Sequence, residues 1–129
     1  MASVQAGGGY WMQNRMLDPG SNRVELIPGQ SGFRVALIGD VDYAARGKLD
    51  DVYVALAEHP PGDVIADLAD TTFLDSGGLG FLVRVHRLVT QHGHQLTVVA
   101  PPAHVRRALM LTGLDRVLTI TAKQPPADE

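Results

Sequence analysis

Asp75, Ser76, Gly77 and Gly78 stand together in the stretch 63–92, DVIADLADTTFLDSGGLGFLVRVHRLVTQH. A serine hydroxyl beside a carboxylate and followed at once by glycines has two chemical uses. It attacks as a nucleophile, or it accepts a group delivered by another molecule. Attack needs a base within hydrogen-bond reach. Of the five histidines, His86 lies far down the helix expected after Ser76, and the other four fall by sequence in loops or turns. The nucleophile-elbow pattern G-x-S-x-G is absent, because Leu74 fills its first position. There is no Walker A segment, and Gly77-Gly78-Leu79-Gly80 has the wrong spacing for a dinucleotide fingerprint. Neither serine catalysis nor binding and hydrolysis of ATP by this chain is expected.

The acids offer other chemistry. Asp40, Asp42, Asp70 and Asp75 all fall at or near expected strand ends, where open α/β sheets bind ligands. One use of such a cluster is a Mg²⁺ site of the phospho-aspartate type. Another is an acidic rim around Ser76. The third is simple helix capping, since Asp42 and Asp75 each precede a helix, where negative charge is favoured by about 0.3–1 kcal/mol. A phospho-aspartate receiver also needs a lysine near the last strand. Only Lys48 and Lys123 exist, and an opening β-hairpin is wrong for a run of βα units.

Ser76 is thereby left either as an N-cap or as a receiver of chemistry done by another protein. A hydroxyl at a helix N-terminus, with no bulky neighbour after it, suits a switch. Phosphorylation would add about −1.5 to −2 charge beside Asp75 and Asp42. The helix dipole tolerates that charge; the neighbouring carboxylates do not. Gly77, Gly78 and Gly80 each cost a helix interior about 1 kcal/mol relative to alanine. Two explanations are open: close packing of the helix start on the sheet, or close approach of another molecule's backbone to Ser76.

The elements that position these residues follow from periodicity. Val64, Ile65 and Ala66 form a short apolar run, which fits a strand covered on both faces. Asp75 and Ser76 are both good N-cap residues. Leu79, Leu82, Val83 and His86 then recur at helical spacing, with Phe81, Val85 and Leu88 widening the stripe and Gly93 closing the helix. Upstream, 23–28 and 33–39 read as strands joined by Gly29-Gln30-Ser31-Gly32. Asp42 caps the next helix, which carries Leu49, Val52, Tyr53 and Leu56 and stops at His59-Pro60-Pro61-Gly62. Downstream come a strand at 95–100, a helix starting near Pro102 with Val105, Ala108, Leu109 and Thr112 on its face, and a strand at 114–121. The order ββαβαβαβ predicts an α/β fold whose mixed, mostly parallel sheet opens with an antiparallel hairpin.

The 129 residues, 45% hydrophobic, suffice for one domain with a single core. The expected partition is an N-terminal extension, partly flexible, at 1–22, the domain at 23–121 and a loose tail at 122–129. The extension carries Tyr10, Trp11, Met12, Met16 and Leu17; Trp11 is expected to cover a sheet edge or a core margin. A net charge of −3 argues against direct nucleic-acid binding, and Arg84, Arg87, Arg106 and Arg107 read as solvated helix faces. Without cysteine there are no disulfides or thiolate metal sites. No secretory signal and no membrane-spanning run is evident, so a cytoplasmic protein without metal or other cofactor is expected.

The string Asp75-Ser76-Gly77-Gly78 is similar to the nucleophile motif of trypsin-like serine proteases, but those are paired all-β barrels from much longer chains. Here a helical stripe follows the serine at once. Across 23–120 the chain instead resembles STAS-domain proteins of the anti-sigma factor antagonist (anti-anti-sigma) type. Three blocks carry the resemblance. Leu37-Ile38-Gly39-Asp40-Val41-Asp42-Tyr43-Ala44 is similar to the family's "GE-L-D" strand end. Asp67-Leu68 with Phe73-Leu74-Asp75-Ser76-Gly77-Gly78-Leu79-Gly80 is similar to its "F-x-DS-x-GLG" signature. Leu96-Thr97-Val98-Val99-Ala100-Pro101, with Val105-Arg106 and Leu111-Thr112-Gly113-Leu114, is similar to its closing helix and strand.

The resemblance implies a binding protein rather than an enzyme. It would bind an anti-sigma factor that is a serine kinase, free a sigma factor for transcription in a stress response, and be switched off by phosphorylation of Ser76. A serine phosphatase would restore binding. Asp40, Asp42 and Asp75, with Gly77, Gly78 and Gly80, would form the docking rim. Asp40 stands where the family often has Glu, and Gly77 where many members carry Ser or Thr. Some STAS domains are never phosphorylated and serve as scaffolds or transport-accessory modules; that is the alternative. The sequence does not speak to oligomeric state.

Overall fold

The computed structural model describes residues 22–29, 32–58 and 62–122. These form six strands and three α-helices: β1 Asn22–Pro28, β2 Gly32–Val41, α1 Arg46–Glu58, β3 Asp63–Asp67, β4 Thr71–Leu74, α2 Ser76–Gln91, β5 Leu96–Val99, α3 Ala103–Leu111 and β6 Thr119–Thr121. Two 3-10 turns, Tyr43–Ala45 and Leu114–Arg116, complete the described chain. The sheet runs β1-β2-β3-β5-β6. β1 and β2 pair antiparallel, and the other pairs are parallel. This is the α/β architecture expected from the order of elements.

The sheet buries one face. Val24, Leu26, Val35, Leu37, Val64, Ala66, Leu96 and Val98 point into a core that also takes Leu49, Val52 and Leu56 from α1, Phe81, Leu82, Val85, Leu88 and Val89 from α2, and Val105 and Leu109 from α3. All three helices therefore feed the same side. The helices cover β3 on one face, where Val64 and Ala66 are buried; Ile65, on the other face, is partly buried rather than open to solvent. An apolar run in one strand cannot tell which faces are covered; the placement of the helices decides it.

Three further differences have local causes. Thr71–Leu74, which the expected order of elements left outside any strand, is β4, and it pairs with the far end of β2 rather than with its sequence neighbour β3. β3 ends opposite Ala36, and β2 runs on to Val41, so the vacated edge is taken by β4. The apolar face of α2 is rotated from the expected stripe. Gly78, Phe81, Leu82, Val85, Leu88 and Val89 are buried, whereas Leu79, Val83 and His86 are only partly so. Finally, the strand expected over 114–121 is only Thr119–Thr121. The chain is still turning from Gly113 (φ 79°) through the 3-10 turn, with Leu118 N–H donating to Leu114 O at 2.8 Å.

Helix ends follow the expected chemistry. Gly93 (φ 80°) closes α2 with His94 N–H to Val89 O at 2.9 Å and Gly93 N–H to Thr90 O at 3.1 Å, the paired bonds of a Schellman cap. Arg84 is not simply solvated: it pairs with Asp50 at 3.1 Å and lies over the Tyr53 ring at 4.4 Å, linking α1 to α2. The extension with Trp11, residues 59–61 and Lys123 lie outside the described residues.

Candidate functional site

Val41 and Leu74 are register partners at the ends of β2 and β4, and Asp75 N–H donates to Val41 O at 3.2 Å. That pairing brings Asp42 and Asp75 to neighbouring strand ends. Asp40 sits opposite Phe73, and its carboxylate accepts from the Thr72 hydroxyl. The register shifts between Gly39 and Asp40, where Gly39 adopts φ 84° and donates to Asp70 O at 2.9 Å. A bulge of this kind re-aims the next side chain, and Asp40 projects exposed from it.

Two of the acids have structural duties. Asp42 Oδ1 accepts from Ala44 N–H at 3.0 Å and caps the 3-10 turn leading into α1, rather than the helix itself. Asp75 caps α2, its Oδ1 accepting from Gly77 N–H at 2.9 Å and Gly78 N–H at 3.2 Å. Ser76 is therefore the first residue of the helix and not its cap. It is exposed, and its hydroxyl makes no hydrogen bond among the described residues. Capping and hydroxyl presentation, which the sequence left to either residue, are divided between neighbours.

The glycines divide as well. A Cβ on Gly78 would lie 2.3 Å from Leu74 Cδ1 and 2.9 Å from its Cγ, so Gly78 is there for packing of the helix start on the sheet. A Cβ on Gly77 would touch the cap carboxylate at 3.2 Å. Among the described residues, no atom outside its own helix turn comes within 4 Å of a Cβ placed on Gly80, so their packing does not demand that glycine.

Sequence reasoning missed three residues of this rim. Phe73 is 48% exposed and Tyr43 is 70% exposed, the latter with the Arg46 guanidinium 4.1 Å over its ring. Exposed aromatics beside the acids were legible only as members of a strand end and a turn. His104, expected in a loop, lies in the first turn of α3, where its Nε2 is 2.6 Å from Thr72 O and ties that helix to β4. His86 sits ten residues beyond Ser76 on α2, about 15 Å along the axis. Lys48 reaches Asn22, donating to its backbone O at 3.0 Å and its Oδ1 at 2.6 Å. Among the described residues, no three His, Cys, Asp or Glu side chains are grouped to hold a metal ion, and no helix is long and apolar enough to cross a membrane.

Residues 29–120 match the family model described as "Mlab, STAS domain". The chain belongs to the STAS domain family. A Bacillus subtilis anti-sigma-B factor antagonist is 28% identical over 100 residues, covering 78% of this chain and 91% of its own. A crystal structure of an anti-sigma factor antagonist from Mycobacterium paratuberculosis superposes with a TM-score of 0.73 at 25% identity, over 81% of this STAS chain and 89% of that one. The antagonist SpoIIAA in its unphosphorylated form shares the fold, with a TM-score of 0.67 at 18% identity over 78% of this chain and 89% of its own. It has also been solved in a phosphorylated form, with a TM-score of 0.61 at 15% identity. At these identities the SpoIIAA comparison bears on fold alone.

Proposed function

We propose that this STAS domain is an anti-sigma factor antagonist that works by binding rather than catalysis, and that phosphorylation of Ser76 switches it off. Its partner is an anti-sigma factor with serine-kinase activity in the cytoplasm; docking releases a sigma factor, and a serine phosphatase restores the binding form. The functional unit spans 23–121. One observation carries this reading: Ser76 is exposed and its hydroxyl makes no hydrogen bond among the described residues, while Asp75 holds the cap.

The same division supports a switch without unfolding. The N–H groups of Gly77 and Gly78 are already held by Asp75, so a phosphate on Ser76 displaces no structural bond. It adds charge beside Asp75 and close to Asp42. Asp40, Asp42 and Asp75 contribute a negative rim, Gly77 and Gly80 leave space above it, and Gly78 seats the helix that presents it. Phe73 and Tyr43 supply apolar contact area at the same strand ends.

Incubation with the anti-sigma factor and ATP, followed by peptide mass spectrometry, tests this. Phosphate on Ser76, stable to hydroxylamine, is expected. Phosphate on another residue, or none, counts against the proposal, and hydroxylamine-labile phosphate indicates an aspartyl receiver instead. A complex equally stable with and without ATP points to a scaffold or transport-accessory role.

A further inference from the structure

Val105 and Leu109 of α3 pack on the core, which leaves Ala103, Arg106, Arg107 and Met110 on the side of the helix turned to solvent. With Pro101 they line a groove of about 450 Å³. Ala100 holds φ 55°, a left-handed conformation uncommon for alanine, just before the proline that walls this groove. Met110 is 58% exposed and its neighbour Leu111 is 80% exposed. α3 carries no carboxylate, and neither Arg106 nor Arg107 makes an ion pair among the described residues. This basic and apolar face adjoins the acidic rim. His104, in the first turn of α3, donates to Thr72 O, and the Thr72 hydroxyl donates to Asp40. On the rim Asp40 and Asp70 are exposed, Asp42 and Asp75 partly so, and Phe73 lies among them. Arg46, over the Tyr43 ring, offsets one of those four charges. Carboxylates around a bare ring thus stand next to guanidiniums around an apolar groove.

We propose that a second copy of this chain docks on this surface, as a two-fold dimer in which the acidic rim of each copy faces the α3 groove of the other. Three arguments select this occupant. The first is charge. The rim is net negative and the groove's edge is positive, so each supplies what the other lacks, and a guanidinium fork suits a carboxylate. The second is apolar fit. Phe73 needs cover, and Pro101, Ala103 and Met110 offer it without burying a charge; methionine adapts to the ring it meets. The third is symmetry. Because rim and groove are neighbours, one two-fold axis between them satisfies both patches on both copies in a closed contact. Any other partner must carry the same two opposite patches at the same spacing. Patches this small suit a transient dimer, of the class burying under about 1,200 Å². The contact covers the rim that carries Ser76, so self-association withholds that hydroxyl from other proteins.

Sedimentation velocity of the full chain over a range of concentrations tests this with no other protein present, so failure here leaves the Ser76 switch standing. A monomer–dimer equilibrium is expected, with the dimer weakening as salt is raised. Charge reversal reads the contact itself. An Arg106→Glu, Arg107→Glu protein and an Asp40→Lys, Asp70→Lys protein should each lose dimer affinity at least about a hundredfold, because like charges then face each other. Mixed one to one, the two should dimerise again, since both contacts of the mixed pair are attractive. If either charge variant fails to fold, Met110→Lys decides: it places a charge in the groove and should abolish the dimer. A chain that stays monomeric throughout overturns the proposal. So do a dimer indifferent to these changes, a mixture that does not recover, and growth past the dimer, which marks a head-to-tail contact. A monomer that binds phosphatidylglycerol vesicles through the two arginines overturns it in favour of a lipid surface.

Discussion

Replacing Gly80 with alanine separates packing from recognition. Outside its own helix backbone, no atom lies within 4 Å of where the new Cβ would sit, so the fold has no objection to it. Alanine recovers about 0.5–1 kcal/mol of helix propensity at such a site, a rise in Tm of about 2–8 °C for a domain of this size. Gly78→Ala is the matched control. Its Cβ would press on Leu74, a buried side chain, at 2.3 and 2.9 Å. Overpacking of that kind costs about 1–3 kcal/mol, which outweighs the propensity gain, so Gly78→Ala should lower Tm. Recognition adds the second readout. If an approaching backbone uses the space over Gly80, a methyl group there should weaken binding of the anti-sigma factor about tenfold, or about 1.4 kcal/mol. Thermal unfolding and titration calorimetry on the same three proteins measure both. A Gly80→Ala protein that is more stable and binds unchanged would refute the recognition role. One that is less stable would refute the open space itself.

Other outcomes follow from the same geometry. Asp75→Ala removes the cap carboxylate and should cost about 1 kcal/mol in chemical denaturation, whereas Ser76→Ala, which removes no bond among the described residues, should stay within about 0.5 kcal/mol of the parent. Ser76→Asp should likewise fold normally, since the extra charge sits in water, yet show weaker binding in a pull-down against the anti-sigma factor. Phe73→Ala should cost under about 1 kcal/mol of stability because the ring is 48% exposed. Its loss should instead appear in affinity, as truncation of an aromatic anchor does; unchanged affinity would remove Phe73 from the interface.

How far the sequence spoke depended on whether a feature was local. The start of α2 at Asp75-Ser76, the closing Gly93 and the Leu49, Val52, Leu56 face of α1 each rest on contacts within a few residues, and the structure has them where the pattern indicated. β4 was hidden because its partner, the end of β2, is more than thirty positions away, and Thr-Thr-Phe-Leu between an acid and a cap also reads as a turn. The rotation of α2 was hidden for a related reason: Gly78 sets the facing residues by fitting against Leu74 and Val41, a contact that periodicity does not contain. Within the candidate site, Ser76 and the three acids were singled out from residue type and resemblance, and the register of β2 and β4 brings the strand ends that carry them together. Which of Asp75 and Ser76 does the capping was not, because both side chains can accept the same bonds. Phe73, Tyr43 and His104 became visible only when strand register put them beside those acids.

The central claim is that one exposed hydroxyl governs docking through charge. Like charges about 6 Å apart repel by about 0.7 kcal/mol in water but about 2.8 kcal/mol at an effective dielectric of 20. A partner that excludes water from the rim therefore raises the cost of each close pair by about 2 kcal/mol, roughly thirtyfold in Kd. The most direct test is calorimetric titration of the co-purified anti-sigma factor with the unmodified protein and with protein phosphorylated on Ser76 alone. The account predicts an affinity at least about thirtyfold lower for the phosphorylated form, with both forms folded. Equal affinity for the two forms would contradict it.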